Sequence, residues 1–286
     1  GIFRQVYRAL SVNSRPRYAA LGNFLYSYLA GKAAVDTGRP ETVLITITSD
    51  RRRLALGDLA EVSGIPLGVF LVDRHGTTRH LPFRAEALFC WTRKQQRYYD
   101  RYAREVVVMP APLAPIRPAP QRPAVGMLLN ARVIVKELRS FLETLRRRHG
   151  LQGVQVRPHP GFDATKLTEL GDAVVRDWKQ PLGEFLDEID LAFGPNTNAL
   201  MDAVMHGVPT VYVAGLDPYD YDLHGYVADG VVLAYDAEHR YPEDANDFYE
   251  SEGFARAWEE VGYQADGSHE RRALERLLKG GTSAPR

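Results

Sequence analysis

Six prolines fall between Pro110 and Pro123. They remove backbone donors and favour extended geometry, so this stretch joins folded bodies and does not itself enter a helix or a central strand. On both sides of it the chain repeats one rhythm, a short apolar run followed by a helix-length segment. Before it, Val43 to Thr48, Val69 to Val72, Ala87 to Trp91 and Val106 to Met109 read as strands, and Tyr18 to Ala34, Leu54 to Val62 and Gln95 to Tyr102 as helices. After it, Ala124 to Leu129, Val154 to Val156, Leu191 to Phe193, Thr210 to Val213 and Val231 to Leu233 read as strands. Between and beyond them, Val133 to His149 (stopping at Gly150), Leu182 to Ile189, Ala199 to Met205, Asp247 to Val261 and His269 to Leu278 read as helices. Strands and helices in alternation require parallel sheets with crossovers. The expectation is an α/β protein with two Rossmann-like parallel-sheet domains, residues 1–109 and 124–286, joined by a linker over 110–123.

The chain has 286 residues, 45% hydrophobic and 25% charged, which excludes a disordered chain and supplies core for two modest domains. The one cysteine, Cys90, sits between Phe89 and Trp91. It forms no internal disulfide and is expected to be a small buried hydrophobe in a reducing compartment. No apolar run of about 18 residues occurs and the first residues lack a signal-peptide core, so neither a membrane span nor a secretory signal is expected. A formal net charge of zero hides an asymmetry: residues 1–123 carry 19 Lys and Arg against 9 Asp and Glu, and residues 124–286 carry 17 against 27. A basic half attracts anionic partners, or simply the acidic half of its own chain.

Two polar turns carry the chemistry. Arg157-Pro158-His159-Pro160-Gly161 follows one apolar run, and Gly194-Pro195-Asn196-Thr197-Asn198 follows another, with Asp202 and Gly207-Val208-Pro209 beyond it. Each turn falls at the carboxyl end of a predicted parallel strand, where open α/β sheets bind ligands. Arg157 offers a bidentate fork and His159 a ring N–H, while Asn196, Thr197, Asn198 and the following amides offer neutral donors; together they make a candidate phosphate seat. Preorganised donors of this kind stabilise a leaving phosphate without a divalent metal, and no Asp-x-Asp motif stands at a strand end. The alternatives are a bare turn histidine for His159, a helix N-cap for Asn196 to Asn198, and a surface carboxylate for Asp202. In the first half, Asp73-Arg74-His75-Gly76 follows a buried strand. Histidine is the side chain whose unperturbed pKa lies nearest neutrality, so His75 is the candidate general base, with Asp73 orienting its ring or acting as the base; His80 is a weaker candidate.

In order and spacing, these pieces resemble the two-domain GT-B glycosyltransferase superfamily. Within it they are similar to the bacterial surface-polymer enzymes: capsule polymerases, CDP-glycerol glycerophosphotransferases of teichoic acid synthesis, and the sialic acid and Kdo transferases with an "HP" motif. The matching pieces are the His75-Gly76 dipeptide, the aromatic segment from Trp91 to Tyr102, the Arg157 to Pro160 turn, and the Asn196 to Pro209 stretch with its acidic residue and Gly-x-Pro, covering roughly residues 40–215. Two departures stand out: such enzymes commonly have Ser or Thr pairs where this chain has Asn196-Thr197-Asn198, and an aromatic residue where it has Arg74.

The resemblance implies two lobes facing a cleft. The first is an acceptor-side domain with His75 and Asp73. The second is a nucleotide-donor domain with Arg157, His159, Asn196, Thr197, Asn198 and Asp202, where the acidic residue contacts the donor. It implies a CMP-, CDP- or UDP-linked donor substrate, no cofactor, no metal, a glycan or lipid-linked acceptor and no nucleic acid. The expected location is cytoplasmic, with peripheral contact at the inner face of the plasma membrane through the basic, aromatic N-terminus of Phe3, Arg4, Tyr7, Arg8, Arg15 and Arg17. In this superfamily the last helix often crosses back to the first domain. Two other readings stay open: a sugar-nucleotide 2-epimerase, and a non-catalytic scaffold holding anionic glycan or lipid. The Gly-rich dinucleotide fingerprint is absent. Tyr219-Asp220-Tyr221-Asp222 and His224 line the donor pocket or form an ordinary polar loop.

Overall fold

The computed structural model describes residues 32, 37–38, 40–47, 51–72, 74–76, 81, 83–167, 170–263 and 268–278. The basic N-terminus, Asp73, His80 and all of the Tyr18 to Ala34 segment except Lys32 lie outside these residues. The chain divides into two compact units, residues 1–110 with 266–286, and residues 111–265.

In the first unit, β1 (Val43–Ile47), β2 (Leu67–Leu71), β3 (Ala85–Cys90) and β4 (Ala103–Val108) pair in parallel, side by side in chain order. Helix α1 (Arg51–Val62) joins β1 to β2, and α2 (Arg93–Tyr99), extended by the 3-10 turn Asp100–Tyr102, joins β3 to β4. Side chains alternate across the sheet, as a two-residue period demands. Leu88 and Cys90 pack on one face with Val69, Leu71, Val106 and Val108, and Ala87 and Phe89 pack on the other with Val107 and Met109. Burial pushes the Cys90 thiol up to about 12, so it is a packed hydrophobe and not a nucleophile.

In the second unit, β5 (Val125–Leu128), β6 (Gln155–Arg157), β7 (Val174–Val175), β8 (Leu191–Gly194), β9 (Thr210–Tyr212) and β10 (Leu233–Ala234) form one parallel sheet in the order β7-β6-β5-β8-β9-β10. The chain starts at the centre, moves outward to β7, then returns to β8 on the other side of β5. This is the Rossmann strand order, with its reversal between β5 and β8. Helix α3 (Val135–His149) buries Leu138, Phe141, Leu142 and Leu145, spaced as one helical face, against Met127, Val156 and Phe193. Helices α4 (Leu182–Asp187) and α5 (Ala199–Met205) cover the opposite face with Phe185, Leu200, Met201 and Val204. Where the sequence predicts one helix, α6 (Glu243–Glu250) and α7 (Glu252–Val261) are separated by Ser251, which is extended and accepts the Phe254 N–H at 3.1 Å as the cap of α7.

The proline stretch is not a free tether. Its remaining amides find partners in the second unit: Ala114 N–H donates to Met205 O (2.9 Å), Arg117 N–H to Gly207 O (2.8 Å), and Ala119 N–H to Asn246 Oδ1 (2.8 Å). Gly207 has φ +80°, and a Cβ there would sit 2.4 Å from Pro115 O. The Gly-x-Pro turn is therefore shaped to let this strap pass. Helix α8 (Ser268–Leu278) belongs with the first unit. Ala273 and Leu277 are buried against Ala87, Phe89, Val107 and Met109, the Thr42 hydroxyl donates to Leu277 O at 3.1 Å, and Arg276 pairs with Glu105. It supplies the second covered face that a parallel sheet needs. Among the described residues no helix is long and apolar enough to cross a membrane.

Candidate functional site

The second sheet reverses its order between β5 and β8, where open α/β sheets bind ligands at the carboxyl edge, and both polar turns of that unit follow strands at that edge. Arg157 is in register with Leu128 across the β5–β6 pair. Gly194 ends β8 on the other side of Leu128, so close that a Cβ on it would lie 2.5 Å from Leu128 O. Arg157 and the Asn196 turn therefore flank the same residue of β5, about 10 Å apart across two strand spacings.

Arg157 is half-buried. Its Nη2 donates to Trp178 O at 3.1 Å, its guanidinium carbon lies 5.8 Å from the Phe185 ring centre, and its Nη1 is enclosed with no acceptor among the described residues. Burial lowers the pKa of the group and Asp177 opposes the shift; an arginine so placed stays cationic near neutrality. His159 receives the Gly161 N–H on Nδ1 at 2.9 Å. That bond needs a lone pair on Nδ1, so the neutral ring carries its proton on Nε2, free to donate outward. Although the residue as a whole is exposed, crowding of its ring by protein atoms holds the pKa below the usual histidine value, and the Gly161 bond acts in the same direction. The turn also abuts the loop after β5: a Cβ on Gly161 would lie 3.8 Å from Ala131 Cβ.

The second turn is built differently from what the sequence predicts. Asn196 is only 6% exposed, and both ends of its amide face inward. Its Oδ1 accepts the Leu223 N–H at 2.7 Å, and its Nδ2 lies within donating distance of Tyr221 O (3.1 Å), Asp217 Oδ2 (3.3 Å) and the Tyr212 hydroxyl (3.3 Å). Thr197 is buried and its hydroxyl accepts the Ala199 N–H at 3.4 Å. Asn198 stands at the start of α5 without a side-chain cap bond, its Oδ1 accepting from the Tyr226 hydroxyl at 3.1 Å. Asp202 is half-buried one turn further along α5.

Asn130 and Arg132, which the sequence does not mark, complete this edge together with Tyr219, Tyr221 and Asp222 of the run it does. Asn130, after β5, donates through Nδ2 to Asn196 O at 3.0 Å and to the Asp217 carboxylate at 2.5 Å, while its Oδ1 accepts the Arg132 N–H at 2.8 Å. Arg132 Nη1 donates to the Tyr219 hydroxyl at 2.5 Å, and Tyr219 meets the 55%-exposed Tyr221 edge to face at 6.0 Å. Asp222 accepts the N–H groups of Gly225 (2.9 Å) and Val227 (2.6 Å), and so shapes its own loop. An asparagine just past an apolar run looks like any loop residue. Its importance emerges only from the strand order that makes β5 and β8 neighbours.

In the first unit, His75 is fully buried, at 0% exposure. The turn that carries it is clamped from α2's amino end. Gln95 Nε2 donates to Gly76 O at 3.0 Å while its Oε1 accepts the Trp91 N–H at 2.8 Å, Trp91 Nε1 donates to Leu71 O at 2.8 Å, and the Arg74 guanidinium lies 3.6 Å over the Trp91 ring. Arg74 thus stacks on an aromatic partner from the next strand's end.

Solved structures share this architecture at low identity. The calicheamicin glycosyltransferase CalG4 superposes with a TM-score of 0.59 at 14% identity, over 98% of this chain and 85% of that one. The UDP-GlcNAc 2-epimerase of Neisseria meningitidis, bound to UDP-GlcNAc, gives 0.55 at 11%, over 97% and 89%. The spinosyn rhamnosyltransferase SpnG, complexed with thymidine diphosphate, gives 0.56 at 16%, over 96% and 81%. No family model and no curated protein matches the sequence. The chain is an α/β protein of two Rossmann-like, all-parallel sheets. Its fold is GT-B, the one these glycosyltransferases and epimerases share.

Proposed function

We propose that this protein is a transferase that takes a glycosyl or glycerol-phosphate-type group from a nucleotide-activated donor and passes it to a glycan or lipid-linked acceptor in bacterial surface polysaccharide synthesis. The observation that carries the reading is the enclosed Nη1 of Arg157, without an acceptor among the described residues, at the carboxyl edge beside the strand-order reversal of the second sheet. A guanidinium N–H without a partner is costly, and an anion is the natural complement. In this reading residues 111–265 bind a CMP-, CDP- or UDP-linked donor. Arg157 and the outward Nε2–H of His159 meet the phosphate, and Asp202 meets the donor from α5. Arg157 supplies positive charge at the leaving group, and the transfer proceeds without a metal. On the acceptor side, His75, buried as folded, takes the hydroxyl proton once its turn opens to the acceptor, with Asp73 orienting its ring or itself the base. The basic N-terminus holds the enzyme to the inner face of the plasma membrane. The GT-B neighbours that carry UDP-GlcNAc and thymidine diphosphate support a nucleotide ligand.

A second reading, a sugar-nucleotide 2-epimerase, draws on the Neisseria meningitidis neighbour. An epimerase needs no acceptor, so incubation with a nucleotide sugar alone separates the two. The test of the first reading combines a thermal-shift panel of CMP, CDP and UDP with a transfer assay. At least one nucleotide is expected to stabilise the chain. Arg157→Ala is expected to weaken that nucleotide by roughly 10- to 100-fold, as loss of a charged hydrogen bond does. His75→Gln is expected to abolish transfer with nucleotide affinity unchanged. A chain stabilised by none of the three is a scaffold and not a transferase.

A further inference from the structure

We propose that Asp217 is a positioning residue for the phosphate seat, acting through Asn130 and Asn196 and touching no ligand itself; the inference rests on the nucleotide-binding reading above. Asp217 is 3% exposed. Its Oδ2 accepts from Asn130 Nδ2 at 2.5 Å and from Asn196 N at 3.2 Å, and its Oδ1 accepts the Tyr219 N–H at 3.0 Å. Among the described residues none of these partners is a cation. A buried carboxylate held only by amide donors is an organising centre, because each donor is drawn toward a charge that water does not screen.

The three donors come from three different strand ends. Asn130 follows β5, Asn196 follows β8 and Tyr219 lies beyond β9, and these strands are adjacent in the sheet. One carboxylate therefore ties together the loops on both sides of the reversal. The tie reaches the Arg157 side of the edge through Asn130, whose Oδ1 fixes the Arg132 amide at 2.8 Å and so shapes the turn containing Ala131. Ala131 stands beside the Arg157 turn, its Cβ 3.8 Å from where a Cβ on Gly161 would lie. On the far side Tyr219, held by Asp217 through its N–H, receives Arg132 Nη1 on its hydroxyl at 2.5 Å. An amide at 217 keeps one acceptor oxygen in place of two, so its NH2 faces either Asn130 Nδ2 and Asn196 N–H or Tyr219 N–H, donor against donor, and one of the ties between the loops is lost.

The experiment is calorimetric titration with CMP, CDP and UDP of the full chain and of Asp217→Asn and Asn130→Asp, with thermal midpoints measured alongside. Each variant is expected to bind the preferred nucleotide about tenfold or more weakly, with a midpoint shift too small to account for the loss. Asn130→Ala leaves the carboxylate its other donors; it is expected to weaken binding by a similar factor and serves if Asp217→Asn fails to fold. Affinity equal to or tighter than the unaltered chain's in Asp217→Asn or Asn130→Ala overturns the inference and leaves the nucleotide reading standing. Failure of the unaltered chain to bind any of the three overturns both.

Discussion

Arg157 and His159 occupy one short turn with opposite electrostatic assignments. The guanidinium remains cationic despite its burial, whereas crowding and the Gly161 N–H both favour a neutral imidazole. The folded-state pKa of His159 lies below the ordinary 6.5, so its contribution to stability is fully present above that value and is lost as pH falls through the lower folded pKa. Proton NMR of the His159 ring is expected to show a titration midpoint below 6.5, and His159→Gln to remove this residue's share of the acid-side loss in thermal midpoint. A midpoint at or above 6.5 would mean that in solution the ring is not crowded and held by Gly161 as described. The turn itself was legible in the sequence, because the prolines on either side of His159 end the apolar run and forbid its continuation as a strand. Asn130 and Asp217 were not legible. Their significance lies in a contact between residues separated by 87 positions, created by strand order, and a polar residue in a polar loop carries no mark of it.

At the scale of elements, the alternation of strands and helices was readable because apolar runs of four to six residues between amphipathic segments have few other solutions. Strand β7 was not, since only two exposed valines among polar neighbours form it, held by Val174 N–H to Val154 O at 2.9 Å and Arg176 N–H to Val156 O at 2.8 Å. The proline stretch was recognised as a boundary but not as a strap, because composition announces missing donors and not where the remaining ones go. Its fit depends on Gly207. Gly207→Ala places a methyl 2.4 Å from Pro115 O at a backbone conformation hostile to L-residues. It is expected to destabilise the second unit by roughly 2–4 kcal/mol in chemical denaturation. A change under about 0.5 kcal/mol, the range of an ordinary surface substitution, would show that the strap is not held at this point.

The whole chain makes two passes between its units, leaving the first at Pro110 and returning at Asp266. The units carry opposite charge: the first has 22 Lys and Arg against 12 Asp and Glu, the second 14 against 24. On the proposed reading, a nucleotide in the second unit would meet an unfavourable mean field, and Arg157 with the outward Nε2–H of His159 would have to supply the attraction locally. Because each unit has its own core, ligand binding to one stabilises that one directly. At a nucleotide concentration 100 times its dissociation constant the gain is about 2.7 kcal/mol. Hydrogen exchange read by mass spectrometry is expected to slow across residues 125–160 and 190–226, which contain the edge built from Asn130, Arg157, Asn196 and Asp217, and to stay unchanged across 85–108 and 268–278. The return of α8 sharpens the contrast, since 268–278 follows the second unit in sequence yet should exchange with the first. Protection that appears in α8 and the β3–β4 region but not around Arg157 would move the nucleotide site to the first unit, and with it the assignment of donor and acceptor sides.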